Sequence, residues 1–399
     1  MDSIFYHSNL EPGDTGDGSL NGLRIAIQPN ISAAGWPTDA GSNALANFTA
    51  LEDATIVQRL RKAGAAICGS TRMSEFGFGL TNSKAGEALR CQAADAELVL
   101  DIVGESRLAA SRAAVCGFKP SYGLVSRFGL IGLIPSMECC GLLSGNLGNL
   151  REIIKTIAGR DELDFSLPDE QAPDFSAQAI NPKNTVIGFI SEAQTALSSE
   201  QVQMYHASIG ELEKAGFHLR EMSMSDFPLF TLVHRIAGSV EASSCAGRYD
   251  SVRYGRRAQG ARNWNDMYLL SRGAAFGPLL KSYLFQGAFF QFERYVAYED
   301  ACRIRARLIK DMQRLTRESD FLVLPIFDIA GSGDMASLPD IYTQFATTAF
   351  ANVTGQPALY LPPPEGTAHP GLQLAGSRLS DARLLALGEH LMNMRRGGK

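Results

Sequence analysis

Long apolar runs are missing from this 399-residue chain. No stretch approaches about eighteen consecutive apolar residues, so no membrane-spanning helix is expected. The N-terminus, MDSIFYHSNLEPGDTGDGS, has no basic segment followed by an apolar one, so it does not read as a secretory signal. Strong charge of either sign is absent too. The net charge is -5 and the pI near 5.8, which weighs against a nucleic-acid-binding surface. The seven cysteines, Cys68, Cys91, Cys116, Cys139, Cys140, Cys245 and Cys302, form no CxxC pair and no Cys/His cluster. That excludes the usual structural zinc patterns, and nothing indicates a metal or cofactor. An odd number at loose spacing reads as reduced core thiols in a cytoplasmic protein, with Cys139 and Cys140 as buried small residues rather than a redox pair. His206, His218 and His234 lack partners at metal-ligand spacing and read as surface or packing residues. There is no internal repeat and no low-complexity linker.

What is present is an ordinary globular composition, 45% hydrophobic and 20% charged, on a chain long enough for a large core. Residues 1–20 are polar and rich in Gly and Asp, and read as a mobile lead-in to a domain spanning 21–399. Short apolar runs at 23–27, 65–68, 184–190, 218–221, 320–325 and 357–362 read as strands. Helical spacing marks 53–63, with Asp53 as N-cap and Gly64 closing it, and also 149–157, 199–214 and 380–395. Residues 92–115 are alanine-rich and read as helical with an interruption near Gly104, and 276–316 reads as a long helical region. Strands alternating with helices give the grammar of a single α/β/α unit.

Several blocks, in order, resemble the amidase signature family. Residues 117–130 (GFKPSYGLVSRFGL), 69–79 (GSTRMSEFGFG) and 241–255 (EASSCAGRYDSVRYG) carry the likeness, with 322–325, 352–357 and 371–374 behind them. The 241–255 block is especially similar to the A-subunit branch of the tRNA-dependent amidotransferases. The resemblance implies an α/β fold in which a central mixed β-sheet is flanked by helices. It also implies amide hydrolysis by a Ser–Ser–Lys triad. One serine attacks, a second relays its proton to a neutral lysine, and backbone N–H groups of a glycine-rich loop hold the oxyanion. Each part has a reason: a hydroxyl needs a base, a lysine must be neutral to act as one, and developing O⁻ needs placed donors.

This chain departs from that pattern. The family reads Gly-Lys-x-Asn-Met-x-Glu-Phe where residues 69–76 read GSTRMSEF, so Ser70 stands at the base position, and Lys62 and Lys84 do not fit it. The glycine- and serine-rich loop of the relay serine has no counterpart between Thr81 and Asp101. The nucleophile motif Asp-x-Gly-Gly-Ser-x-Arg maps onto Asp101, Ile102, Val103, Gly104, Glu105, Ser106 and Arg107, which puts Glu105 at the nucleophile and Val103 at one loop glycine. The positions that hold glutamine's α-carboxylate and α-amine in the A-subunit branch fall on Ala306 and Phe345. Arg305 and Arg307 flank Ala306 and are expected to point elsewhere on a helix. Base, relay, nucleophile and ligand anchors are thus altered together. The expectation is a catalytically inactive member that scaffolds, regulates or binds a small amide or amino-acid-like ligand, with a protein partner resembling an amidotransferase subunit. The rival is an amide hydrolase of altered chemistry, using Glu105 beside Asp101 or a nearby thiol such as Cys116 or Cys91. The plainer reading of Glu105 is a carboxylate satisfied by Arg107 or by backbone N–H groups. Lys119 and Tyr122 read as structural, and the arginine- and tyrosine-rich 248–257 as a structural loop.

Overall fold

A computed structural model describes residues 4–9, 18–176, 178–328, 337–364, 366–367 and 369–397. The strands are β1 (Phe5–Ser8), β2 (Arg24–Ile27), β3 (Ala66–Thr71), β4 (Ala96–Asp101), β5 (Cys116–Lys119), β6 (Cys139–Ser144), β7 (Val186–Ile190), β8 (His218–Met222), β9 (Phe321–Leu324), β10 (Ala358–Leu361) and β11 (Leu372–Ala375). They form one sheet in the order β1-β3-β2-β4-β6-β5-β10-β11-β9-β7-β8. The sheet is mixed. β2 runs parallel to β3 and β4, β7 runs parallel to β8 and β9, and the remaining pairings are antiparallel.

Period-two alternation splits the buried side chains between two cores. On β10, Leu359 and Leu361 face one core while Ala358 and Tyr360 face the other, and β9 divides Phe321 and Val323 from Leu322 and Leu324 in the same way. The first core is covered by α1 (Thr55–Lys62), α4 (Leu147–Ile157), α5 (Ser199–Lys214) and α12 (Asp381–Gly397). The second lies under α3 (Glu105–Ala113), α6 (Leu229–Ala246), α8 (Pro278–Phe292), α9 (Tyr295–Glu318), α10 (Leu338–Gln344) and α11 (Phe350–Thr354). Two further helices, α2 (Glu87–Arg90) and α7 (Trp264–Ala275), complete the set among the described residues. The three-layer α/β fold expected from the sequence is the one observed, and among the described residues no helix is long and apolar enough to cross a membrane.

Local expectations fail in places. Within the lead-in, residues 5–8 form β1, an edge strand held against β3, while residues 1–3 and 10–17 lie outside the described residues. Asp53 does not cap α1. Ala54 holds the cap position, and Asp53 instead accepts from the Ala34 N–H at 2.7 Å and pairs with Arg61 at 2.7 Å. The alanine-rich stretch 92–115 is mostly not helix before Gly104. Residues 96–101 (AELVLD) are a fully buried central strand, because Leu98, Val99 and Leu100 are needed between β2 and β6. Not all the thiols are core: Cys91 and Cys302 are exposed, whereas Cys116, Cys139 and Cys140 are buried, and all seven are free.

Candidate functional site

The turn from β4 into α3 carries the centre of the site. Gly104 sits at φ +131°, and a Cβ there would lie 2.2 Å from Thr348 Oγ1, so only glycine fits. The next residue, Glu105, opens α3 and folds its side chain back over the turn. Its Oε2 accepts from the backbone N–H groups of Ile102 (2.7 Å), Val103 (2.8 Å) and Gly104 (3.1 Å). Its Oε1 accepts from the Gly79 N–H at 3.1 Å. Converging amides at a helix N-terminus are a ready anion site, and here the anion is the chain's own carboxylate. Glu105 is 3% exposed. Burial, with the Asp101 charge behind it, pushes its carboxyl up to about 7 against the pull of the backbone donors. The plainer sequence reading holds in its backbone form. Arg107 turns away from Glu105.

Asp101 and Arg107 instead clamp α3 to the neighbouring elements. Asp101 Oδ2 accepts from both the N–H and the hydroxyl of Ser106, and Oδ1 accepts from Asn352 Nδ2 at 2.8 Å. The Arg107 guanidinium, fully buried, lies 3.6 Å from Asp101 and donates to Thr348 O, Gln373 Oε1 and Asn352 Oδ1 at 2.8–2.9 Å. Asp101 and Glu105 therefore do not share a helix face. Asp101 ends a strand, and its two oxygens are taken. Gln373 and Thr348 escaped the sequence reading. The only signal for Gln373 is a polar residue in the middle of an apolar strand.

A second set of polar contacts fixes the loop from the other side. His234 Nε2 lies 2.9 Å from Ile102 O, and Nδ1 lies 3.0 Å from the Tyr342 hydroxyl. A carbonyl only accepts, so the neutral ring carries its proton on Nε2, and Tyr342 donates to Nδ1. Burial holds His234 down at about 4, which keeps the ring neutral. The Tyr283 hydroxyl lies 3.1 Å from that of Tyr342, and the Tyr283 ring stacks on Phe78 at 4.5 Å. Thr348 Oγ1 donates to Val103 O at 2.9 Å. His234 is thus a buried packing histidine, visible in the sequence only as one polar residue inside an apolar helical run.

The other expected residues scatter. Ser70 lies near the end of β3, 1% exposed, with a hydroxyl that makes no hydrogen bond among the described residues. Beside it in sequence, Thr71 donates to Glu97, whose fully buried carboxyl is also bonded to the Gly86 N–H and is pushed up to about 7 by burial. Phe345 is wholly buried in the apolar core. Ala306 is exposed on α9. Arg305, expected to point elsewhere, is the guanidinium that enters the body, donating to Ser136 Oγ and O at 2.7 Å and to Val353 O at 3.0 Å. A register of 3.6 residues per turn puts 301, 305, 308 and 312 on the inner face and leaves 306 outside. Ser136 also donates to Glu241, and both line an open cleft of about 600 Å³ with Tyr122, Arg127 and Tyr298. Lys119 is buried and donates to Pro120 O and Gln356 O, a structural role. In the 248–257 loop, Asp250 accepts from the Val252 and Arg253 N–H groups, so the loop is held by its own turn.

Comparison with known proteins agrees with this architecture. The sequence profile of the amidase family matches residues 8–87 and 93–385. The A subunit of glutamyl-tRNA(Gln) amidotransferase from Natronomonas pharaonis is 32% identical over 98% of this chain and 99% of its own length. Its counterpart from Sulfurisphaera tokodaii is 31% identical over 93% of the chain and 84% of its length. Among solved structures, the counterpart from Thermotoga maritima superposes with a TM-score of 0.79 at 20% identity, covering 97% of this chain and 86% of that one. The native peptide amidase from Stenotrophomonas maltophilia gives 0.74 at 22%, covering 95% and 84%. The chain belongs to the amidase signature family and is related to the A subunits of glutamyl-tRNA(Gln) amidotransferases.

Proposed function

We propose that this protein is a non-hydrolytic member of its family that acts by binding. The observation that carries the reading is the Glu105 carboxylate seated on the Ile102, Val103, Gly104 and Gly79 amides. Donors that an acyl-transfer enzyme aims at a developing oxyanion must be free to receive it. Here an internal anion already satisfies them. The residue at the nucleophile position is a carboxylate, and the residue at the base position is Ser70, whose hydroxyl takes up no proton near neutral pH. The interruption of the family match between residues 87 and 93 falls in the stretch where the relay-serine loop is expected. The cleft beside Arg127, Glu241 and Tyr298 offers charged and hydroxyl groups to a small amide or amino-acid-like ligand. A scaffold or regulatory role beside an amidotransferase-like protein is the other form of the same reading.

The test is ammonia release from glutamine, asparagine and simple amides by the purified protein against a mock preparation. No turnover is expected. Turnover that a Glu105→Gln variant abolishes would establish instead an enzyme of altered chemistry. The raised carboxyl of Glu105 suits such an acid or base.

A further inference from the structure

Helix α8 is apolar on more than one side. Its inner face, Leu280, Tyr283, Leu284 and Gly287, is buried, and a Cβ on Gly287 would lie 1.9 Å from Ser239 O, so α8 is seated tightly on α6. Its outer face carries Phe285 (73% exposed), Phe289 (49%) and Phe292 (75%), and Val296 (65%) follows at the start of α9. A helix apolar on two sides belongs between two layers, and among the described residues only its inner side is covered. The outer residues of α8 recur at 278, 282, 285, 289 and 292, alternating steps of four and three, which is the spacing of a helix seam rather than of scattered surface residues.

We propose that this face pairs with the same face of a second copy of the chain, helix against helix and antiparallel. The seam is symmetric about Gly287. A two-fold there sets Phe285 against Phe289 of the partner subunit, and Phe292 against the small Ser282 of the partner subunit. Large residues thus meet either a stacking ring or a gap. No like charges meet along the flanks: Lys281 is the one charged residue of α8, so an antiparallel pair sets the two lysines toward opposite ends, and Gln286 falls near the partner's Gln286. Antiparallel alignment also opposes the two helix dipoles. At roughly 150–250 Å² per aromatic side chain, the exposed parts of Phe285, Phe289, Phe292, Tyr295 and Val296 present about 600 Å². With the polar flanks, that approaches the roughly 800 Å² per partner of a standard interface.

The test is sedimentation velocity on the purified full chain across micromolar concentrations. A species of twice 43.0 kDa is expected. Phe289→Asp, on an exposed position, should keep the circular dichroism and unfolding midpoint while raising the dimer dissociation constant roughly thirtyfold or more. Geometry is read by cross-linking, in a background where the exposed Cys91 and Cys302 are serine. Ser282→Cys chains mixed with Phe292→Cys chains should form a disulfide-linked pair, and neither variant should link to itself. A wild-type monomer at every concentration, a Phe289→Asp dimer of unchanged affinity, or self-linking of either cysteine variant would overturn the proposal, as would a monomer that uses the same phenylalanines to hold a different protein.

Discussion

Replacing Glu105 by alanine tests whether the β4–α3 turn is an anion site filled from within. The substitution leaves the N–H groups of Gly79, Ile102, Val103 and Gly104 without their acceptor. Bare buried donors cost about 1–3 kcal/mol each, and the lower figure applies because three of them share one oxygen and the vacated space admits water. Four donors at that figure lose about 4 kcal/mol, and relief of burying the carboxylate returns part of it, leaving a net loss of ~2–3 kcal/mol. The assay is urea unfolding of Glu105→Ala and wild type in matched chloride and formate buffers. Formate is the missing carboxylate without its tether. If it occupies the turn with a dissociation constant of about 10 mM, ~100 mM should restore about 1.4 kcal/mol to the variant, while wild type, already filled, should gain nothing. Two results would refute the reasoning: a variant within about 0.5 kcal/mol of wild type, the range of ordinary surface changes, or formate stabilising both proteins equally.

The remaining predictions concern the groups around that turn. Arg107→Met should lower stability by about 3–5 kcal/mol in urea titrations, because it strands Asp101 and removes the donors to Gln373, Asn352 and Thr348. Gly104→Ala should cost more than about 3 kcal/mol or prevent soluble expression, since its Cβ would enter Thr348 at a backbone conformation that side chains avoid. Tyr342→Phe removes the donor to His234 Nδ1 and should cost about 1–2 kcal/mol by the same assay. Glu97 is held protonated up to about 7 against an ordinary 4.5, so it favours the folded state fully below pH 4.5 and loses that contribution as pH rises to about 7. Glu97→Gln should therefore remove a fall of about 1.4 kcal/mol per pH unit in that window, seen by comparing unfolding at pH 5 and 7.5. His234 works in the opposite sense: held neutral down to about 4, it costs stability as pH falls from 6.5 toward 4.

How far the sequence carried the structure depended on which force placed each residue. The fold was legible because its determinants are periodic. The pattern that reads as a strand at 184–190 becomes β7, and the helix at 199–214 becomes α5 with its bounds intact. Where local preference and tertiary demand disagreed, the local reading failed. Alanine-rich flanks made 92–115 look helical, yet residues 96–101 are buried on both faces between β2 and β6, and no helix fits that slot. Within the site, the contiguous motif from Asp101 to Arg107 came through as one unit. A turn and the helix after it are local structure, and a carboxylate one residue past a glycine has few places to go but back onto the turn's amides. The partners that complete the unit did not come through. Gly79, Thr348, Asn352 and Gln373 reach the turn from elsewhere in the chain, and chain spacing says nothing about such meetings. Ala306 shows the same limit at finer scale. The family resemblance put it at a ligand position, but one step along a helix is about 100°, and the packing of Ala301, Leu308 and Met312 turns Arg305 inward instead. The guanidinium missing from the aligned position thus stands one residue away, bonded to Ser136 at the edge of the open cleft. Ser136 lines that cleft and the Arg305 fork holds it in place, so Arg305→Lys should weaken small-carboxylate binding there, measured by calorimetry, far more than the exposed Arg307→Lys.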